Sequence, residues 1–252
     1  MEDIVILEWT FAPPDYFEEP IYIKRDDYVM TIGKGRVEAQ ISPEIYDKET
    51  NMRDRLHNML NDRFLGVQLF SHKPYELSKA SMYCLHPDGR KDITIFPEPL
   101  VIKVSMGEPD IILEDKDGNV ISDSRKERVE KKKEWAELAE RYCQDPLVVS
   151  MLQSYNNAVN DPDNELVHLY EIRDSIAKHF GGDSTAQRVL GFDRKQWSKL
   201  GKLANDEPLK QGRHRGKNPG ALRDATEEEL REARSIARDL FVAYLNYLKS
   251  SR

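Results

Sequence analysis

Two periodicities divide the chain. In residues 3–11 (DIVILEWTF), 20–25, 27–33 and 35–42, β-branched and aromatic side chains alternate with polar ones over part of each run, which predicts half-buried strands. Residues 79–86 and 92–96 flank Pro87-Asp88-Gly89, and residues 110–114 and 119–122 flank Asp117-Gly118. Both interruptions have the turn chemistry of hairpins. One helix breaks the series: Met52, Leu56, Met59, Leu60 and Phe64 fall at helical spacing, and Gly66 is expected to end it. An antiparallel sheet with one packed helix accounts for these elements.

Beyond residue 123 the period becomes helical. Residues 124–143 form a highly charged run in which Val129, Trp135, Leu138 and Ala139 keep helical spacing. Asp145 reads as an N-cap with Pro146 at the first helical position. Leu166, Tyr170, Ile172, Ile176 and Phe180 mark the next helix, which is expected to stop at Gly181-Gly182. Short helices are predicted over 184–190 and 194–204. A final long one opens with the capping-box pair Thr226 and Glu229. The expected fold class is α+β: a β-rich module over residues 1–123, a charged connecting helix over 124–144, and an α-helical bundle over 145–252.

Charge changes this picture in one place. The 252-residue chain carries a formal charge of −7, yet residues 188–223 hold ten Lys or Arg against three acids. That window carries +7 and the remainder −14. Local field, not net charge, draws a polyanion within a Debye length of ~8–10 Å. A nucleic acid is thus a candidate partner, and a solvated lysine-rich face is the plainer alternative. No apolar run approaches the ~20 residues that a bilayer span needs, so no membrane partner is expected. The opening residues lack the basic region and cleavage site of a signal peptide. Two cysteines, Cys84 and Cys143, are too few for a disulfide framework, and a cytoplasmic location is expected.

Most familiar chemistries find no support. The segment 33–36 (GKGR) lacks the spacing of a phosphate loop, no nucleophile elbow occurs, and the calcium-loop echo at 115–119 has no closing glutamate. Cys84, His86 and His57 are the soft ligands that could meet, with Cys84 and His86 on one face of a strand. Three ligands of unknown proximity are thin grounds, so neither metal nor cofactor is expected.

Residues 184–205 suggest a helix-turn-helix, since Trp197 and Leu200 follow Gly191 at +6 and +9. Gln187 stands where the motif wants alanine, and Ala186 lies one position away. In that reading Arg194, Lys195, Lys199 and Lys202 decorate the second helix. A helix pair packed inside the bundle explains the same pattern.

Segments 169–174 (LYEIRD), 180–182 (FGG), 200–206 (LGKLAND) and 212–216 (GRHRG), with the last helix, resemble those of HEPN helical bundles in bacterial ribonucleases, toxins and antiphage proteins. The similarity covers about the last hundred residues. A β-rich module before such a bundle is also similar in layout to Apea-type abortive-infection proteins. The resemblance implies a metal-independent ribonuclease in which an arginine and a histidine four to six residues on act across a dimer interface. A homodimer is the implied assembly. Arg173 and His179 have that spacing, but six helical positions put them ~240° apart, and Asp174 opposes phosphate.

The better candidate catalytic group is Arg213-His214-Arg215, where two guanidinium groups disfavour a protonated imidazole and leave a neutral base. Gly212 and Gly216 would let the backbone approach a ligand. The same basic residues could instead pair with Glu227, Glu228 and Glu229 or with Asp206 and Glu207. The nucleic-acid-binding set comprises Arg194, Lys195, Lys199, Lys202, Lys210, Arg213, Arg215 and Lys217. The leading expectation is a non-enzymatic component of a bacterial system, in phage defence by the resemblance, that binds RNA, DNA or a protein through 188–223. A metal-independent endoribonuclease and a helix-turn-helix DNA-binding regulator are the alternatives.

Overall fold

A computed structural model describes residues 3–94, 110–114, 120–213, 215 and 220–250. The chain is mixed α and β, with an antiparallel sheet in its N-terminal part and helices filling its C-terminal part. Its contacts group it into two units, residues 1–67 with 75–140 and residues 68–74 with 141–252. The charged helix therefore belongs with the sheet, and a short stretch after residue 67 belongs with the bundle.

In the first unit, strands β1 (Ile4–Ala12), β2 (Ile21–Lys24), β3 (Val29–Gly33), β4 (Arg36–Ile41), β6 (Ser81–Leu85) and β7 (Lys91–Thr94) form a sheet in the order β2-β3-β4-β1-β6-β7. The short β5 (Glu76–Leu77), which alternation did not announce, pairs with Phe11 and Ala12 of β1. Alternation sets the buried face: Ile21 and Ile23 of β2 are buried while Tyr22 and Lys24 are not. Helices α1 (Pro43–Lys48) and α2 (Met52–Ser71) follow β4. Met52, Leu56, Leu60, Phe64 and Val67 of α2 complete the core with Leu7, Trp9, Met30, Ile32 and Val37, each fully buried. Burial of such side chains stabilises by about 1.5–3 kcal/mol each.

Gly66 does not end α2, which runs five residues further. Helix α3 (Ser124–Arg141) explains the glycine. A Cβ at Gly66 would strike the Trp135 carbonyl oxygen and come within 2.8 Å of Ala139 Cβ. Gly66 is there to let two helix backbones touch. A separate two-stranded sheet pairs β8 (Ile112–Glu114) with β9 (Val120–Asp123), and the expected Asp117-Gly118 turn lies outside the described residues.

The second unit holds α4 (Pro146–Asn160), a 3-10 turn at Pro162–Asn164, α5 (Glu165–His179), α6 (Asp183–Leu190), α7 (Arg194–Asn205) and α8 (Glu227–Ser250). Asp145 caps α4 by accepting from Leu147 and Val148 N–H at 2.9 and 3.0 Å. Thr226 and Glu229 form their capping box, with Thr226 N–H donating to Glu229 at 2.8 Å. Helix α5 is central, packing on α4, α6, α7 and α8.

Candidate nucleic-acid interface

Arg173 lies on the face of α5 that meets α7, and it is only 9% exposed. Its guanidinium carbon stands 5.1 Å from the Trp197 ring centroid and 4.9 Å from that of Tyr170. Aromatic faces hold a desolvated cation through the ring quadrupole. The cradle depends on Gly201, because a Cβ there would collide with one guanidinium nitrogen and lie 3.3 Å from Cζ. A glycine inside a helix costs about 1 kcal/mol against alanine, and here it makes room for the arginine. Asp183, at the start of α6, accepts from one Nη of Arg173, while the buried Nε has no hydrogen-bond partner among the described residues.

Beside this cradle opens a polar cleft of about 610 Å3 between α6 and α7. Arg173, Arg188 and Arg194 line it with Ser184, Ser198 and Asp183, so three cations face one carboxylate. Gly182 is the N-cap of α6 and offers no side chain, which leaves first-turn amides at that end unanswered by a side-chain cap. Arg188, Arg194 and Lys195 are exposed and form no ion pair among the described residues. Arg213 reaches the same neighbourhood, standing 4.8 Å from the Tyr170 centroid that Arg173 also covers.

The other nominated cations behave differently. Lys199 pairs with Glu232 at 3.0 Å, Lys202 with Glu207 at 3.3 Å and Lys210 with Asp224 at 2.9 Å. Arg223, also in the basic window, binds Glu229 through two nitrogens at 2.7 Å each. That fork holds the Glu229 carboxyl at about 2, well below the usual carboxylate range. Arg215 turns inward to the carbonyl oxygens of Gly212 at 3.0 Å and Asp163 at 2.8 Å, and to the Asn164 side chain. The continuous basic stripe thus resolves into locked pairs around a smaller open group.

The loop after α7 is closed by backbone bonds between Lys210 N–H and the Arg223 carbonyl and between Arg223 N–H and the Pro208 carbonyl, both 3.0 Å. Gly212 was expected to let the loop approach a ligand. Instead a Cβ there would come within 2.9 Å of the Ala204 carbonyl oxygen, to which Arg213 N–H donates at 2.7 Å. His214 and Lys217, with Gly216, lie outside the described residues.

Arg173 and His179 go to different partners, as their helical angle requires. His179 is exposed and its ring meets Phe180 and Tyr244, with centroids 4.8 and 5.6 Å apart. In the α6–α7 pair, Gly191 adopts a left-handed φ of 61°, and Ala186, Trp197 and Leu200 are buried. Lys199 and Lys202 on α7 are already engaged, which leaves Arg194 and Lys195 on that helix without ion pairs among the described residues. Arg173 was not among the nominated binding residues. Its signal was the cradle pattern itself: Tyr170 three residues earlier, and Trp197 four residues before a mid-helix Gly201.

No helix is long and apolar enough to cross a membrane among the described residues. No family model, no curated protein and no solved structure matches this chain.

Proposed function

We propose that the C-terminal bundle is a non-enzymatic nucleic-acid-binding component that grips strand phosphates at the α6–α7 cleft. The observation that carries this reading is the cleft in which Arg173, held by its aromatic cradle, stands beside Arg188 and Arg194, which form no ion pair among the described residues. A guanidinium presents planar donors that match phosphate oxygens, and the aromatic cradle holds Arg173 in place before a ligand arrives. Arg188, Arg194 and Lys195 supply the exposed charge that steers a strand, and Arg213 extends it toward the loop. Backbone gripping of this kind reads charge rather than sequence.

Fluorescence anisotropy with a labelled single-stranded RNA of mixed sequence at ~50 mM salt tests it. The expected result is binding that weakens steeply with salt. Arg188→Ala with Arg194→Ala lowers the slope of log affinity against log salt by about 1.4, at ~0.7 per phosphate contact on a single strand. Absence of binding at that salt, or an unchanged slope in the double variant, overturns the reading.

A further inference from the structure

A second set of side chains meets far along the sequence from the cleft, in the N-terminal sheet. Strand register explains the meeting. Ile4 lies opposite Leu85 and Val5 opposite Cys84, so continuing the pairing one step places Asp3 opposite His86. Cys84 and His86 are two residues apart and share a face, and Asp92 of β7 lies directly opposite Cys84. The Pro87-Asp88-Gly89 turn fixes the backbone there, with His86 N–H donating to the Arg90 carbonyl at 3.0 Å. Period two and two registers thus bring a thiol, an imidazole and two carboxylates to one end of one sheet face.

The distances suit ligation. His86 Nδ1 lies 3.1 Å from Asp3 Oδ1, and one donor atom each from Asp3, Cys84 and His86 all fall within 4.8 Å of one another. A tetrahedral ion with bonds of ~2.0–2.3 Å holds its donors roughly 3.3–3.6 Å apart, so small side-chain rotations suffice. On its other side His86 Nε2 meets Asp92 Oδ2 at 2.9 Å. A carboxylate on one ring nitrogen keeps the proton there and leaves the lone pair of the other facing the ligand set, the usual outer support of a metal-bound histidine. Of the three soft ligands in the sequence that could meet, Cys84 and His86 come together with Asp3, while His57 lies on α2.

We propose that Asp3, Cys84 and His86 form a binding site for a zinc-class transition-metal ion, with Asp92 as a positioning residue. Thiolate with imidazole selects zinc-class ions over magnesium and calcium, which take oxygen donors. Binding releases the thiol proton, because the thiolate is the ligand. Three protein ligands leave a fourth position for water. The competing arrangement is an imidazolium clamped between Asp92 and Asp3, whose hydrogen bonds raise the His86 pKa in that order.

The full chain, without appended histidines and stripped with EDTA, is titrated with Co2+ and followed by absorbance. The expected result is near-ultraviolet thiolate-to-cobalt charge-transfer absorption that saturates at one equivalent and is displaced by Zn2+. Cys84→Ser abolishes that absorption, and Cys143→Ser leaves it unchanged. Asp92→Asn retains the absorption with affinity lowered about tenfold or more. Circular dichroism confirms that each variant is folded, and Asp3→Asn provides a second ligand variant should Cys84→Ser fail to fold. No charge-transfer absorption in the native chain, or one that survives Cys84→Ser and disappears in Cys143→Ser, overturns the site.

Discussion

Glu18 in the sheet unit and Arg173 in the bundle are both charged side chains taken largely out of water, and they end in opposite conditions. Glu18 receives Arg128 through two nitrogens at 2.8 and 2.6 Å and Lys132 Nζ at 2.6 Å. Lys132, only 3% exposed, also donates to the Tyr16 carbonyl at 2.8 Å. Arg128 also pairs with Asp110 at 2.8 Å, so each cation of the cluster meets a carboxylate. Arg173 answers one carboxylate, Asp183, and lines a cleft that carries two more arginines without ion pairs among the described residues. Cations matched by carboxylates hold a fold together, whereas cations in surplus have capacity left for an anion. The contrast separates the cations that support this fold from those available to bind.

The sharpest way to break the comparison is Glu18→Gln. It removes the carboxylate that answers two cations, Arg128 and the buried Lys132. Such losses cost about 3–5 kcal/mol, to be read from the urea midpoint of the first unit. An effect below about 1 kcal/mol would mean that the cluster is rim charge, no better matched than the cations of the cleft. Acid acts on the same carboxyl. Burial alone would raise it, but hydrogen bonds from Arg128 and Lys132 outweigh that and hold it at about 2. Its contribution is therefore present above the unfolded value near 4.5 and is lost as pH falls toward 2.

The bundle titrates in a different window. His72 is pushed down to about 4, by burial first and then by Arg234 and Arg238. Its Nδ1 lies 3.2 Å from Tyr155 Oη, and its Nε2 stands 3.6 Å from Glu165, beyond hydrogen-bond reach. Glu165 is already held by Arg234 at 2.6 and 2.9 Å. The unfolded chain binds a proton below ~6.5 that the native bundle refuses until about 4. Stability of the bundle thus falls as pH drops from 6.5 to 4, by roughly 2–3 kcal/mol. His72→Asn, which tolerates the φ of 53° there, flattens that slope by about one proton. Denaturant melts at pH 7, 5.5 and 4.5 with separate probes for each unit check the sign. Loss of the sheet unit first would invert the comparison.

A smaller effect isolates backbone contact from charge. Gly66→Ala places a methyl against the Trp135 carbonyl, a backbone atom that cannot swing aside. Overpacking of about 1–3 kcal/mol exceeds the ~1 kcal/mol that alanine gains in a helix, so net destabilisation is expected. A stabilised variant would show that α2 and α3 have room to separate.

These residues also show what the sequence could and could not disclose. Strand alternation and the Asp145 and Thr226 caps were legible because they depend on neighbours within a few positions. Gly66 was misread because the reason for it lies about seventy residues away in α3. Asp3 was not considered beside Cys84 and His86 because strand register is not written in either strand alone. The basic window ended at Arg223, one residue before Asp224, so its count omitted the acids at 224, 229 and 232 that answer three of its cations. A charge count depends on where it stops, and the folded partners lay just beyond the cut.

The finest test compares two cations of that same window. Lys202 pairs with Glu207 across 3.3 Å with its side chain 62% exposed, so Lys202→Ala should change stability by no more than about 0.5 kcal/mol. It should leave RNA affinity within about twofold, since the adjacent carboxylate already cancels its field. Arg188→Ala, with no such partner, should weaken binding several times more at the same salt. If the two losses are equal, strand phosphates compete successfully with Glu207. The interface is then the whole basic face from α6 to Arg223, and the distinction between locked and open cations ceases to govern binding, although it would still govern stability.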